Sequence, residues 1–433
     1  MARALDRWRV LTARRQGRWT RVLWLLAGPG ILVMLGENDG PSMLSYAATG
    51  SQFGIGFFLP FVVLTFAMAF VAQEITVRLG AATQSGHAEL IYRRYGRFWG
   101  NFAMVDLMVT NFMTLVTEFV AIVAGASFFG IPKVVAVSAG VAVVASGLAL
   151  HRYWAWERLT MALALFNLVF IPVAVLTHPD WGAVGRAMVT FSPLPGGFNA
   201  NTVTLLLADI GATITPWMLF FQQGAVSDKG LTGQDIREGR WDTAIGALVA
   251  ALAALGCIVA TAPLHTHHMN AASYNAAQFA QALVPFAGRW GSALFALGVL
   301  EAGLVASATI SVSSAYAWGE VLGKAHSLNR PPKEAPGFYA VLVGVAALAA
   351  GVVLIPHFPL EMVVILVNVI AVLTMPPAIG FLLLLANDPE VIGRYRSSRL
   401  LNVLGIGVGC FVALAGIVYA LTVVLPALFG SHF

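Results

Sequence analysis

The chain has 433 residues, 58% of them hydrophobic and only 10% charged, where an ordinary soluble domain is roughly 45–50% apolar and about 25% charged. A mean hydropathy of +0.80 over the whole length excludes a soluble enzyme, a disordered chain and a nucleic-acid-binding domain, and identifies a polytopic membrane protein. The net charge of +5 and pI near 9.4 must then be judged by where the charges sit. The two cysteines, Cys257 and Cys410, lie in apolar runs and offer neither a disulfide framework nor a thiolate metal site.

A helix needs about 20 mostly apolar residues to cross the hydrocarbon core. The first such run, 22–50, follows a basic segment, 1–21, with seven arginines and no small-residue cleavage site; it reads as a retained helix rather than a signal peptide. Gly36-Glu37-Asn38-Asp39-Gly40-Pro41-Ser42 interrupts its middle. Span two is 55–77. The stretch 78–100 is too polar to cross and is expected to lie along the inner surface. Spans 101–128, 132–150 and 157–176 follow. The segment 177–199 holds Pro179, Pro193, Pro195, Gly196 and Gly197, a composition that predicts an irregular loop. Span six, 201–224, is interrupted by Gly211-Ala212-Thr213-Ile214-Thr215-Pro216-Trp217. Spans 243–263, 291–320, 337–355, 360–386 and 400–425 bring the count to eleven.

With the N-terminus in the cytoplasm, every lysine and arginine except Lys133, Arg186 and Arg289 falls on the inside, as the positive-inside rule requires. The odd span count puts the C-terminus outside. The basic charge is therefore topological, with a minor attraction to anionic lipid, and nucleic acid is not a partner. The expected organisation is a cytoplasmic segment 1–21, a transporter core of ten helices over 22–386 in two halves (22–176 and 201–386), and an additional helix at 400–425.

Proline removes a backbone hydrogen bond and clashes with the preceding turn. In hydrocarbon such breaks persist only where protein or a polar cavity satisfies the freed groups. The two breaks lie five spans apart, and an odd offset inverts the second half relative to the first. Paired interrupted helices in inverted halves point to a secondary transporter with a mid-membrane site. A carboxylate at that depth calls for a cation, a proton or a partner, and Asp39 is such a carboxylate. Asp39, Ser42, Thr215 and the freed carbonyls around Ala212 offer only oxygen, which suits hard cations such as Mg²⁺, Ca²⁺ and Mn²⁺. Met43 and Met218 are expected to face packing.

At these residues the sequence resembles the NRAMP family of divalent-metal transporters, most closely its NRAMP-related magnesium-transporting branch. Residues 28–54 fit the family's first helix without a gap, and its Asp-Pro-Gly-Asn motif falls on Asp39-Gly40-Pro41-Ser42. The resemblance implies that Asp39 is the metal-binding aspartate and that Ser42 replaces the asparagine ligand. Gly211-Ala212-Thr213-Ile214-Thr215-Pro216-Trp217-Met218 is similar to the family's Gly-Ala-Thr-x-Met-Pro-His-Asn. The carbonyl ligand then carries over to Ala212, the methionine becomes Thr215 and the histidine becomes Trp217. The family's metal-proximal glutamine aligns with Asn368, and Ser314-Ala315-Tyr316-Ala317-Trp318-Gly319-Glu320 resembles the magnesium branch. The implied fold is all-α, with about eleven transmembrane helices, a LeuT-type 5+5 inverted repeat, and broken helices one and six. The implied activity is transport of Mg²⁺ and/or Mn²⁺ by alternating access, with the cytoplasmic end of span one as the moving gate. The metal is cargo, and no cofactor is implied. Loss of the thioether removes a soft ligand, and small hydroxyls leave room for a partly hydrated ion. Of the family's third-helix acidic pair, the first is Glu118 and the second position is Ala121. Span nine has no arginine, which points to transport without tight proton coupling.

Glu118 also has a structural reading as a buried, hydrogen-bonded acid, and Glu37 is expected to line an aqueous vestibule. Asp209 and Glu301 are expected to pair within the bundle. Glu74 and Asp106 are expected near the inner surface. His265, His267 and His268 lie in a predicted outside loop without a fourth ligand or helical spacing, so they read as solvated rather than as a metal site. Trp19, Trp24, Trp99, Trp154 and Trp156 read as interfacial anchors, and Gly125, Ala126, Gly405, Gly407 and Gly409 as helix-packing positions. Two other functions stay open: a carrier of amino acids or organic cations on the same fold, in which Asp39 pairs with an ammonium and Trp217 stacks on a cation, and a channel using the same oxygens. No nucleophile–base pair at membrane depth supports an enzyme. Oligomeric state is not legible.

Overall fold

The computed structural model describes residues 2–150, 152–190, 192–267, 274–356 and 360–426. Among them the regular structure is entirely helical. Ten helices are long and apolar enough to cross a membrane, and eleven result when one bent pair is taken as a span. The chain opens with α1 (Ala2–Arg15), α2 (Trp19–Leu26), α3 (Pro29–Glu37), α4 (Gly40–Phe53), α5 (Phe58–Thr83), α6 (His87–Tyr95) and α7 (Arg97–Ser127). It continues through α8 (Lys133–Leu150), α9 (Tyr153–Ala164), α10 (Phe170–Leu176), α11 (Trp181–Val189), α12 (Ala200–Gly211) and α13 (Pro216–Lys229). The last part is α14 (Ile236–Thr266), α15 (Ala276–Ala282), α16 (Val284–Val321), α17 (Pro336–Leu354), α18 (Leu360–Asn387), α19 (Pro389–Ile392) and α20 (Arg399–Tyr419).

Both expected breaks are present. Between α3 and α4, Asp39 is extended (φ −75°, ψ 176°) and caps α4, its carboxylate accepting from the Ser42 amide at 2.8 Å. Between α12 and α13, Thr215 is extended (φ −122°, ψ 154°) just before Pro216. In each case the proline lies in the first turn of the second half-helix, where its missing N–H has no intrahelical acceptor to lose. The broken span α12–α13 is 89% buried, against 28% for α8, so the breaks lie in the centre of the bundle and α8 at its margin. Helix α14 packs along α3, α4 and α5, α16 along α7, and α18 against α12 and α20.

A further bend, of 50°, separates α2 from α3. Gly28 turns there at φ +152°, and a Cβ on it would approach Glu157 Cδ to 2.3 Å, so only glycine fits. Asp242 on α14 accepts from the amides of Gly28 (2.9 Å) and Gly30 (2.6 Å), capping α3. Lys229, the last residue of α13, donates to the Ala27 carbonyl (2.5 Å) and to Glu157 of α9 (2.6 Å). The root of the first broken span is thus tied to three other helices. Upstream, Arg7 and Arg14 of α1 pair with Asp235, and Arg14 also with Glu238.

Several expectations need correction. Within 177–199, α11 forms because Asp180 caps it, accepting from the amides of Gly182 and Ala183, while the prolines lie outside it. The stretch 78–100 is helical throughout most of its length: α5 runs on to Thr83 and α6 buries His87, Ala88, Leu90 and Ile91. Trp19, Trp24 and Trp99 are exposed, but Trp154 and Trp156 are buried, Trp154 under the Lys229 ammonium (5.1 Å) and Trp156 against Phe221. His265 belongs to the last turn of α14 and His267 follows it; His268 lies outside the described residues. Asp209 and Glu301 do pair within the bundle as expected, through neutral hydrogen-bond donors rather than a cation among the described residues. Asp209 accepts from Thr49 (2.9 Å) and Glu301 from Asn167 (3.3 Å).

Candidate metal site

The two breaks and α18 bring the expected residues to one region. Asp39 holds the Ser42 amide. One turn further along α4, the Ser45 hydroxyl accepts from the Asn368 amide at 2.9 Å, and the Tyr46 hydroxyl donates to the Ala212 carbonyl at 3.1 Å. Gly211 lies so close to α18 that a Cβ there would come within 2.0 Å of the Asn368 carbonyl oxygen. Glu37 lies beside Asp39 and Thr215. The Thr215 hydroxyl and the Glu37 carboxylate are buried next to each other, and the Thr215 amide donates to Met218 sulfur at 3.4 Å. Trp217 closes the other side, its ring 3.2 Å from where a Cβ on Gly36 would sit and its indole N–H without a partner.

Glu118 reaches the first break from α7. Its Oε2 accepts from the Gly40 amide at 3.1 Å, while Oε1 is buried and unpartnered. Residue 40 must be glycine for this approach, because a Cβ there would meet the Ala121 methyl at 2.2 Å. Among Asp39, Ser42, Ala212, Thr215 and Asn368 none is more than 3% exposed, so all five are shielded from bulk solvent. Neither Glu37 nor Asp39 forms an ion pair with a lysine or arginine among the described residues. A buried acid in that condition calls for a cation or a proton. No cluster of three or more His, Cys, Asp or Glu side chains is placed to hold a metal among the described residues. The donor set is therefore one or two carboxylates with hydroxyl, amide and carbonyl oxygens, a hard-cation set.

Residues 30–422 match the sequence family described as natural resistance-associated macrophage protein-like. The chain belongs to the Nramp family. This is a family of transporters, not enzymes. The divalent metal cation transporter MntH of Verminephrobacter eiseniae is 22% identical over 425 residues, covering 93% of this chain and 90% of that protein. MntH of Brucella suis is 28% identical over 320 residues, covering 70% and 69%. The crystal structure of the Eremococcus coleocola manganese transporter, in complex with an aromatic bis-isothiourea compound, superposes with a TM-score of 0.75 at 21% identity, covering 96% of this chain and 90% of that one. MhsT in complex with L-phenylalanine matches at a TM-score of 0.55 and 12% identity, covering 92% and 97%. The Nramp chain thus has the LeuT-type fold, with broken helices one and six in inverted halves.

Sequence reasoning missed Ser45 and Tyr46. The available signal was their spacing, three and four residues beyond Ser42, which puts all three on one helix face. Their partners lie 323 and 166 residues away.

Proposed function

We propose that this chain moves divalent metal cations, Mg²⁺ and Mn²⁺, across the cell membrane by alternating access. Asp39 supplies the charge, and Ser42, Thr215, Asn368 and the Ala212 carbonyl complete an oxygen set around a partly hydrated ion. The observation that carries this reading is Asp39 itself: a buried carboxylate at a helix break, with no basic partner, beside Glu37, which lies next to Thr215 of the second break. The Ala212 carbonyl bonded to Tyr46 is compatible with ligation, because a carbonyl oxygen has two lone pairs. Thr215 in place of a thioether favours hard over soft ions, and hydroxyls leave space for water that Mg²⁺ gives up reluctantly.

Ten helices over 22–386 form the moving machinery, with α20 an addition outside it. The N-terminus is cytoplasmic and the C-terminus outside. Glu118 and Glu37 are the groups available to a proton, Glu118 against the Asp39 cap and Glu37, buried rather than lining an aqueous vestibule, beside Asp39 and Thr215. With alanine at position 121 and tryptophan at position 217, transport runs down the metal gradient without tight proton coupling.

Proteoliposomes containing the purified protein test this directly. Mn²⁺ and Mg²⁺ influx should be saturable, should fall to the protein-free background in Asp39→Ala, and should proceed without matching lumenal acidification. Undiminished influx in Asp39→Ala would remove the site. Inhibition by organic amines stronger than by metals would favour the organic-cation reading.

A further inference from the structure

Asp209 has no place in the site described above. It lies on α12 three residues before Ala212 and is fully buried. Its Oδ2 accepts from the Thr49 hydroxyl at 2.9 Å, and its Oδ1 is buried without a hydrogen-bond partner. No basic side chain forms an ion pair with it among the described residues. An asparagine would accept the same Thr49 hydrogen bond without the several-kcal/mol cost of a carboxylate at membrane depth. The charge itself therefore needs an explanation.

The surroundings supply one. Tyr46, Thr49 and Gln52 recur every three residues on α4, so they share a face, and each is bonded to α12 or to the residue just beyond it. The Gln52 side-chain oxygen accepts from Asn201 at 2.8 Å at the exposed end, Thr49 meets Asp209 in the middle, and Tyr46 meets the Ala212 carbonyl at the inner end. At about 1.5 Å per residue, this polar file is roughly 9 Å long between Gln52 and Tyr46. It starts at the membrane face opposite α1 and ends against the Asp39 region. The Tyr46 hydroxyl lies within electrostatic reach of Asp209, Glu37 and Asp39.

We propose that Asp209, with Thr49, is a second divalent-cation site: an outer station that takes a partly hydrated ion from the face opposite α1 and hands it past Tyr46 to Asp39. The inference rests on the metal-transport reading. A single carboxylate with a hydroxyl and water holds a hard cation weakly, as suits a station the ion must leave.

The test is Mn²⁺ flux in right-side-out and inside-out vesicles carrying the full chain, with the accessibility of an N-terminal tag reporting which face is exposed. Asp209→Asn should raise the KM for Mn²⁺ five- to twentyfold when the metal is offered at the face opposite α1. From the α1 face the KM should stay within twofold of wild type. Asp209→Glu should recover most of the affinity, and Thr49→Val, which keeps the charge, should shift KM less than threefold. If Asp209→Asn does not reach the membrane, Asp209→Ser supplies the same neutralisation. An unchanged KM at the outer face, or an equal rise from both faces as a purely structural residue would give, overturns the proposal while leaving Asp39-dependent transport intact. Wild-type flux no greater than that of Asp39→Ala would defeat the transport reading instead, and that comparison is made before any Asp209 variant.

Discussion

Replacing Lys229 by methionine strands a carboxylate. In the wild type the Lys229 ammonium lies 2.6 Å from Glu157 and 2.5 Å from the Ala27 carbonyl, with both side chains of the pair only 1% exposed. Solvent screening is therefore slight, and removing one partner of a buried pair costs about 3–5 kcal/mol. Loss of the donor to Ala27 adds about 1 kcal/mol. In Lys229→Met/Glu157→Gln the stranded Glu157 charge is gone, although the buried Asp242, which also interacts with Lys229, remains, so about half or more of the first cost should return. The four proteins form a double-mutant cycle with an expected coupling of about 2–3 kcal/mol. Thermal unfolding in detergent, followed by intrinsic tryptophan fluorescence, should show Lys229→Met melting several degrees below wild type and the double variant recovering at least half of the difference. Additive losses, with the double variant the least stable of the four, would refute the claim that this pair ties the root of the first span to α9 and α13.

Four other outcomes are expected. Tyr46→Phe releases the Ala212 carbonyl from its protein donor at a cost of about 1 kcal/mol to this arrangement, so Mn²⁺ binding by calorimetry should tighten up to about fivefold; weaker binding would give the hydroxyl a direct role on the ion. Thr215→Met restores a polarisable sulfur, and a metal panel in liposomes should show Cd²⁺ and Mn²⁺ gaining on Mg²⁺. Gly211→Ala drives a methyl into the Asn368 carbonyl at 2.0 Å, and overpacking against backbone should cost at least about 2 kcal/mol, seen as a lower melting point with reduced transport. Burial pushes the His87 imidazole of α6 down from 6.5 to about 4, opposed in part by its hydrogen bond to Gln223. The unfolded chain then binds the extra proton between those values, so this contribution is complete above pH 6.5 and is lost as pH falls toward 4, on the order of 2–3 kcal/mol. His87→Gln should flatten the melting profile across that window.

The breaks were legible because Gly and Pro inside an apolar run have few explanations at membrane depth, and Asp39 because a carboxylate there has fewer still. The apolar runs gave the span count, and the alternation of basic residues agreed with it. What stayed hidden depended on partners distant in sequence. Spacing puts Ser45 and Tyr46 on the face of Ser42, but only Asn368 and Ala212, brought beside them by the fold, show what they bond. The bend at Gly28 is invisible because its causes, Glu157, Lys229 and Asp242, belong to three other helices. Trp154 and Trp156 mislead for a related reason: tryptophan near a span end reads as an interfacial anchor, but here the rings are covered by Lys229 and Phe221. The irregular reading of 177–199 weighed its prolines and glycines and overlooked Asp180 as a helix cap.

The arginines of α1 have a consequence for the first span. Arg7 and Arg14 hook the amino-terminal helix onto Asp235 and Glu238, at the start of the helix that also caps Gly28 and Gly30. Any outward swing of the hinge must stretch or unfasten that leash. Both arginines keep part of their surface in water, so dissolved salt weakens their grip and anionic headgroups compete for them. In the proposed transport cycle, the ionic make-up of the adjoining aqueous phase would thereby set the tension on a motion inside the lipid.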